Sequence, residues 1–183
     1  MRTADQPKKT TLKRFLRKRA IYYILPNVFF NFIIAYASFQ ELGYTHFFAG
    51  PQSLARLTLP MAIFLPVILT MDIIKRVIVA AEQEAIEVAI DSNLNKNRFI
   101  AKLCVLHGII TGLLVLFVLL IAQQILTVNH KLDPTIMAIL EAVLAGLLSI
   151  LFTYLPIYRL KKHLHNPLPK VPIEADDLPR FTL

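Results

Sequence analysis

Asn27, Asn31, Asp72, His107 and Glu141 each stand inside a stretch of sequence that is otherwise apolar, and Arg56 stands at the edge of one. Carboxyl, imidazole and amide groups so placed have two uses. They can pass protons or ions through a hydrocarbon layer, or they can hydrogen-bond to one another and hold helices together. A charged residue at the centre of a bilayer costs roughly 2.5–3.5 kcal/mol on insertion scales, so each of these groups needs a reason to be there. Glu141 poses the question most sharply. It is the one charged residue in the run "TIMAILEAVLAGLLSILFTYL", Thr135 to Leu155.

At 1.5 Å rise per residue, Glu141 lies about 9 Å below the start of that run, neither central nor at the surface. Arg56 enters from the same side, and Gln40, Glu41, Gln123 and Gln124 end other apolar runs at that level. The expectation is that Glu141 pairs with Arg56 or accepts hydrogen bonds from amides. A contact between copies of the chain and an ion or proton site are the alternatives. An unpaired carboxyl in hydrocarbon would keep its proton.

Asn27 and Asn31 are four residues apart and share a helix face, which suits hydrogen bonding between helices; lining a polar path is the other use. Pro26 before them removes one backbone donor and frees a carbonyl that Asn27 or a water could take. Asp72 precedes Lys75 and Arg76 by three and four residues, the spacing of an intrahelical ion pair, with a proton relay as the alternative. His107, expected near Asn27 and Tyr154, is read as a hydrogen-bonded packing residue; a proton shuttle or pH sensor is the sharper reading.

Motifs of reaction chemistry are absent. The chain has no phosphate loop, no G-x-S-x-G and no H-E-x-x-H. His46, His130, His163 and His165 are scattered along it, and the last two lack the i, i+4 spacing of paired metal ligands. Cys104 is the single cysteine, so no intramolecular disulfide forms, and an inert buried thiol is expected. No catalytic, cofactor-binding or metal-binding residue is assigned, no cofactor is expected, and the chain is read as a non-enzyme.

The elements that carry these groups follow from composition. Of 183 residues, 56% are hydrophobic and 17% charged, and the mean hydropathy is +0.57. That balance indicates a polytopic membrane protein. Spans of roughly 20 apolar residues fit at 20–39, 58–75, 103–126 and 135–158. The first is longer than the apolar region of a signal peptide and is read as a retained helix. Net charge is +8, but distribution matters more than the sum. Every lysine and arginine except Arg56 and Lys131 falls on one side of the predicted spans. The positive-inside rule puts that side, with both termini, in the cytoplasm. The basic N-terminal run is expected to lie against anionic headgroups. Nucleic acid is not expected as a partner, since no aromatic residues interleave the basic run before Phe15.

The predicted organisation has five parts: a basic cytoplasmic segment at 1–19, a transmembrane hairpin at 20–76, an acidic extension and linker at 77–101, a second hairpin at 102–159 and a Pro-rich cytoplasmic tail at 160–183. The tail is expected to be extended, either disordered or carrying a short recognition motif. Ile74, Ile78, Ala81, Ala85 and Val88 recur at helical spacing, so the second helix is expected to run on to about residue 91. Its acids, Glu82, Glu84, Glu87 and Asp91, would form a solvated face or a docking site for a basic partner. A shift of 83 residues carries Gln40 onto Gln123, Pro51 onto Pro134, Ala62 onto Ala145, Thr70 onto Thr153 and Arg76 onto Arg159. The equal spacing of helices and loops under that shift suggests a tandem, parallel repeat of an out-and-back hairpin.

The stretch "ELGYTHFFAGPQSLARLTLPMAIFLPVILTMDIIKRVI" resembles the bacterial membrane-protein family called domain of unknown function 2798. The resemblance rests on Gly43, Phe47, Leu54, Ala55, Pro60, Ala62, Pro66, Lys75 and Arg76; residues 102–162 match more loosely and lack the glycine and both helix prolines. It implies a two-helix unit, here in tandem, in a bacterial inner membrane, and it supplies no activity. The expected fold is an all-α integral membrane protein, an antiparallel bundle of four transmembrane helices with both termini inside. Gly112, Ala145 and Gly146 would permit close helix approach. The expected function is a scaffold, an accessory subunit of a membrane complex or a homo-oligomer; the alternative is a small proton-coupled transporter using Glu141.

Overall fold

The computed structural model describes residues 9–40, 46–50, 53–91, 93–126 and 133–165. Parts of both expected outer loops, the first eight residues and the Pro-rich stretch after residue 165 lie outside the described residues. Four long helices dominate: α1 (Leu12–Gln40), α2 (Leu54–Glu82), α3 (Lys96–Leu126) and α4 (Pro134–Leu160). All four are long and apolar enough to cross a membrane.

The helices begin earlier or end later than the apolar runs alone suggest. α1 takes in the last eight residues of the basic segment, from Leu12, because Leu12, Phe15, Leu16 and Ala20 recur at helical spacing, and Leu16 and Ala20 are buried. α4 starts at a proline, where the missing N–H costs nothing, and the Asp133 carboxylate accepts a hydrogen bond from the Ile136 N–H at 2.9 Å. The side chain of Ser53 caps nothing at the start of α2. Instead the carbonyls of His46 and Phe47 accept from the N–H groups of Leu54 and Ala55, both at 2.9 Å.

The two expected hairpins do not pack as hairpins. α1 lies along α4, α3 lies along α2, and α2 and α4 meet in the centre, while α1 barely touches α2. Each outer helix therefore packs on the central helix of the other half. The central pair is parallel: Thr58 near the start of α2 meets Glu141 near the start of α4, and further along Leu69 clusters with Phe152. Second helices of two out-and-back hairpins run in the same direction, so a parallel contact between α2 and α4 is compatible with that chain path. The physical reason lies in the buried faces. Leu54, Ala55, Thr58, Ala62, Leu69 and Val77 are buried on α2, and the residues 83 positions later, Met137, Ala138, Glu141, Ala145, Phe152 and Leu160, are buried on α4. Alanines in both faces let the two backbones approach.

Small residues also seat the outer helices. Gly108 and Gly112 of α3 form a G-x-x-x-G face against Ile63 and Val67 of α2. On the other side Gly146 of α4 receives Val28 of α1, whose Cγ2 lies 3.0 Å from where a Cβ would stand. Ile63 and Gly146 are themselves 83 positions apart. The protrusion thus comes from the central helix at one seam and from the outer helix at the other.

The predicted continuation of α2 to residue 91 is not formed. α2 ends at Glu82, and Glu84 turns the chain with φ of 53°. A short strand, β1 (Ala89–Ile90), pairs antiparallel with β2 (Leu164–His165), which follows a 3-10 turn at Lys161–His163. Thr10 bridges Ile86 in parallel, its N–H donating to the Ala85 carbonyl at 3.0 Å. Ile86, Val88 and Ile90 alternate with Glu87 and Ala89, the two-residue period of a strand. Burial decides between the periods: Ile86 is only 1% exposed, within the cluster that holds Ile74, Ile78 and Leu160.

The two α3 glycines differ in what a methyl group would meet. At Gly108 a Cβ would stand 2.7 Å from Val67 Cγ2 and 3.2 Å from the Ile63 carbonyl oxygen; at Gly112 it would stand 2.6 Å from Ile63 Cγ1, a side-chain atom. A side chain can rotate away and a backbone oxygen cannot. Gly108→Ala is expected to cost about 1–3 kcal/mol and Gly112→Ala less, read as midpoints of thermal unfolding in detergent. Equal tolerance at both positions would contradict this packing.

Candidate functional site

The polar groups among the helices fall at three levels: one on the α2–α4 seam, one on the α1–α4 seam, and one shared by the α2–α3 and α1–α2 contacts. At the level nearest the starts of α2 and α4, Glu141 is 3% exposed, and Thr58 of α2 hydrogen-bonds to its Oε1. The Thr58 hydroxyl also donates to the Leu54 carbonyl, at 2.8 Å. A hydroxyl carries one hydrogen, so both contacts hold at once when the carboxyl brings a proton of its own. Arg56, the expected partner of Glu141, is exposed. Two positions separate it from Thr58 on the helix, so it faces away from the α2–α4 contact. The expected Arg56–Glu141 pair is therefore not formed, and Gln40 is likewise exposed.

The middle level lies about 12 Å further along α4 from Glu141, at eight residues of 1.5 Å rise. There Asn27 Nδ2 donates to Ser149 Oγ at 2.9 Å and ties α1 to α4. Asn31 does not cross to another helix; its Nδ2 donates to the Asn27 carbonyl at 2.7 Å. Ser149 Oγ donates to the Ala145 carbonyl at 2.7 Å, and Thr153 Oγ1 to the Ser149 carbonyl at 2.6 Å. These bonds back onto their own helix satisfy hydroxyls that have no water to turn to.

At the level nearest the ends of α2 and α4, His107 of α3 meets Thr70 of α2, with Nδ1 and Oγ1 2.9 Å apart, and its ring centroid lies 5.1 Å from that of Phe152. Its partners are thus Thr70 and Phe152, not Asn27 and Tyr154 as expected; Tyr154 is 41% exposed. Asp72 accepts from Tyr23 Oη of α1 at 2.5 Å and from Arg76 Nε at 2.6 Å, one turn along its own helix. The Cys104 thiol donates to the Val67 carbonyl at 3.4 Å.

The six candidate residues do not converge. Among the described residues no hydrogen bond joins the Glu141 pair to the Asn27–Ser149 chain, or either of them to His107 and Asp72. Among them, too, no cluster of three or more metal-ligating side chains occurs. The acids past α2 are engaged locally: Glu82 pairs with Lys96, and Glu84 with Lys9 at 3.2 Å. Thr58, Ser149, Thr70 and Tyr23 complete the site and were not singled out in the sequence. A signal for Thr58 was present, because the shift of 83 residues carries it onto Glu141.

No known protein family, curated protein or solved structure matches the chain.

The proton bookkeeping at Thr58 gives a test. Glu141→Gln leaves an amide that still donates to the Thr58 hydroxyl, so the loss is expected to stay within about 0.6 kcal/mol, the mean worth of such bonds in a membrane. Thr58→Val keeps the shape but strands a buried carboxyl, and is expected to cost about 1–3 kcal/mol. Unfolding titrations in detergent give the ranking; a glutamine variant weaker than the valine variant would overturn it.

Proposed function

We propose that the chain is a multi-pass membrane protein with both termini in the cytoplasm, acting without catalysis as a structural component of the membrane. It serves as an accessory subunit of a membrane complex or as a homo-oligomer. The observation that carries this reading is the use made of the intramembrane polar groups. Glu141, Asn27, His107 and Asp72 each make a hydrogen bond to a neighbouring helix of the same chain, which is how polar groups join helices where no water is present. Large apolar side chains meanwhile cover the outside, including Phe29, Phe64, Leu113 and Phe117. They suit lipid or the helices of a partner.

Two further parts of the reading rest on sequence pattern. The basic residues on one side favour cytoplasmic termini by the positive-inside rule. The matched buried faces of α2 and α4 at a constant shift favour descent from a duplicated hairpin. The resemblance to domain of unknown function 2798 is the support for a bacterial inner membrane as the location.

A second reading, proton-coupled transport through Glu141, draws on one observation: the single Thr58 hydroxyl contacts both the Leu54 carbonyl and the Glu141 carboxyl, an arrangement that suits a carboxyl carrying a proton. Two measurements separate the readings. Affinity purification in a mild detergent, with mass spectrometry of co-purifying chains, is expected to yield a stoichiometric membrane partner or a discrete oligomer. Reconstitution into vesicles holding a pH-sensitive dye is expected to give no proton flux. Flux abolished by Glu141→Gln would overturn the structural reading in favour of transport.

A further inference from the structure

The start of α1 holds a recess of about 790 Å³ that none of the polar seams explains. Arg14, Lys18, Arg19 and Lys9 line it together with Tyr22, and Glu87 is the acid among its lining residues. Two of the four cations are already occupied. Lys9 pairs with Glu84 at 3.2 Å, and the Arg19 guanidinium lies over the Phe15 ring, 5.3 Å from its centroid. The side chains of Arg14 and Lys18 make no hydrogen bond or ion pair with any other described residue. Among the described residues the recess thus sets four cations against one acid, Glu87, an excess of positive charge to which Arg14 and Lys18 contribute.

The same helix face continues into hydrocarbon. Arg14, Lys18, Tyr22, Leu25 and Phe29 follow at spacings of four, four, three and four, one continuous stripe. Tyr22, Leu25 and Phe29 are all more than half exposed. From Lys18 to Phe29 the stripe runs about 16 Å at 1.5 Å per residue, close to the depth of one leaflet's hydrocarbon, about 15 Å. Cations at the top, a phenol below them and bare apolar side chains beneath match a phospholipid group by group. Aromatic residues with a polar tip settle at the glycerol and headgroup level. A free phosphate would use only the top of this arrangement.

We propose that this recess and stripe bind one anionic phospholipid, with Arg14 and Lys18 holding its phosphate, Tyr22 at the glycerol level, and Leu25 and Phe29 along an acyl chain. The proposal rests on the membrane reading above and is independent of whether the protein is a scaffold or a transporter. By the positive-inside assignment the lipid belongs to the cytoplasmic leaflet, where anionic lipids attract basic juxtamembrane segments.

The test titrates the full chain, purified in a mild non-ionic detergent, with phosphatidylglycerol, phosphatidylcholine or sodium phosphate, read by native mass spectrometry. The unsubstituted protein is expected to retain one phosphatidylglycerol and no phosphatidylcholine. Arg14→Gln with Lys18→Gln should bind about 30-fold more weakly. Lys161→Gln with Lys162→Gln removes the same charge from the same membrane surface and should change nothing. Equal weakening in both double variants would overturn the site in favour of diffuse attraction. So would equal retention of phosphatidylcholine, or displacement of the lipid by equimolar sodium phosphate. If the Arg14/Lys18 variant does not fold, the three-ligand comparison on the unsubstituted protein decides alone. A chain that elutes without bound detergent would overturn the membrane reading together with the site.

Discussion

A hydrocarbon interior offers a carboxyl only the hydrogen-bond partners that the protein brings with it, and the contact between α2 and α4 is shaped by that shortage. Glu141 is tolerable because Thr58 stands opposite, and Thr58 stands opposite because the two central helices run in the same direction with matched buried faces. Packing and polarity are therefore one constraint here. Alanines at 55, 62, 138 and 145 bring the backbones close, and closeness puts a short threonine within reach of a glutamate. Any shift of one helix against the other that separated the pair would leave an unsatisfied polar group with no water to receive it.

The outer helices follow from the central pair. α1 and α3 each bury a narrow face on a central helix and leave the rest apolar and exposed, as suits contact with lipid. Both seams use a protrusion seated on glycine, but the roles are exchanged. Ile63 of α2 fits over Gly108 and Gly112 of α3, whereas Val28 of α1 fits over Gly146 of α4. Polar ties cross both seams, Thr70–His107 and Cys104–Val67 on one side and Asn27–Ser149 on the other. Because the outer helix of each half rests on the central helix of the other, neither half buries its faces alone. Cooperation between the halves is built into the packing.

The existence of four long apolar helices was legible from composition, and the extra length of α1 was legible from Leu12, Phe15, Leu16 and Ala20. The partner of Glu141 was not. Depth placed it level with Arg56, but which helices touch is a tertiary property, and Arg56 lies on a face of α2 that turns away. The shift of 83 residues contained the answer, since it superposes Thr58 on Glu141; reading it required the two second helices to meet as equivalents. The segment after α2 misled for a local reason. Ala85 and Val88 fit a helical stripe while Ile86, Val88 and Ile90 fit a strand, and the sequence around them does not break the tie. Burial of Ile86 against the ends of α2 and α4, and pairing with Thr10 and Leu164, break it.

If the polar groups are sealed between helices, infrared spectroscopy of the Glu141 carboxyl in reconstituted protein shows it most directly, with the band assigned by its disappearance in Glu141→Gln. A protonated carboxyl closed off by Thr58 and the central helices should keep its hydrogen for long periods after transfer to deuterium oxide, with its band unshifted. A band that shifts as soon as the solvent is exchanged, or a carboxylate band in its place, would mean that water reaches Glu141, and would contradict a sealed seam.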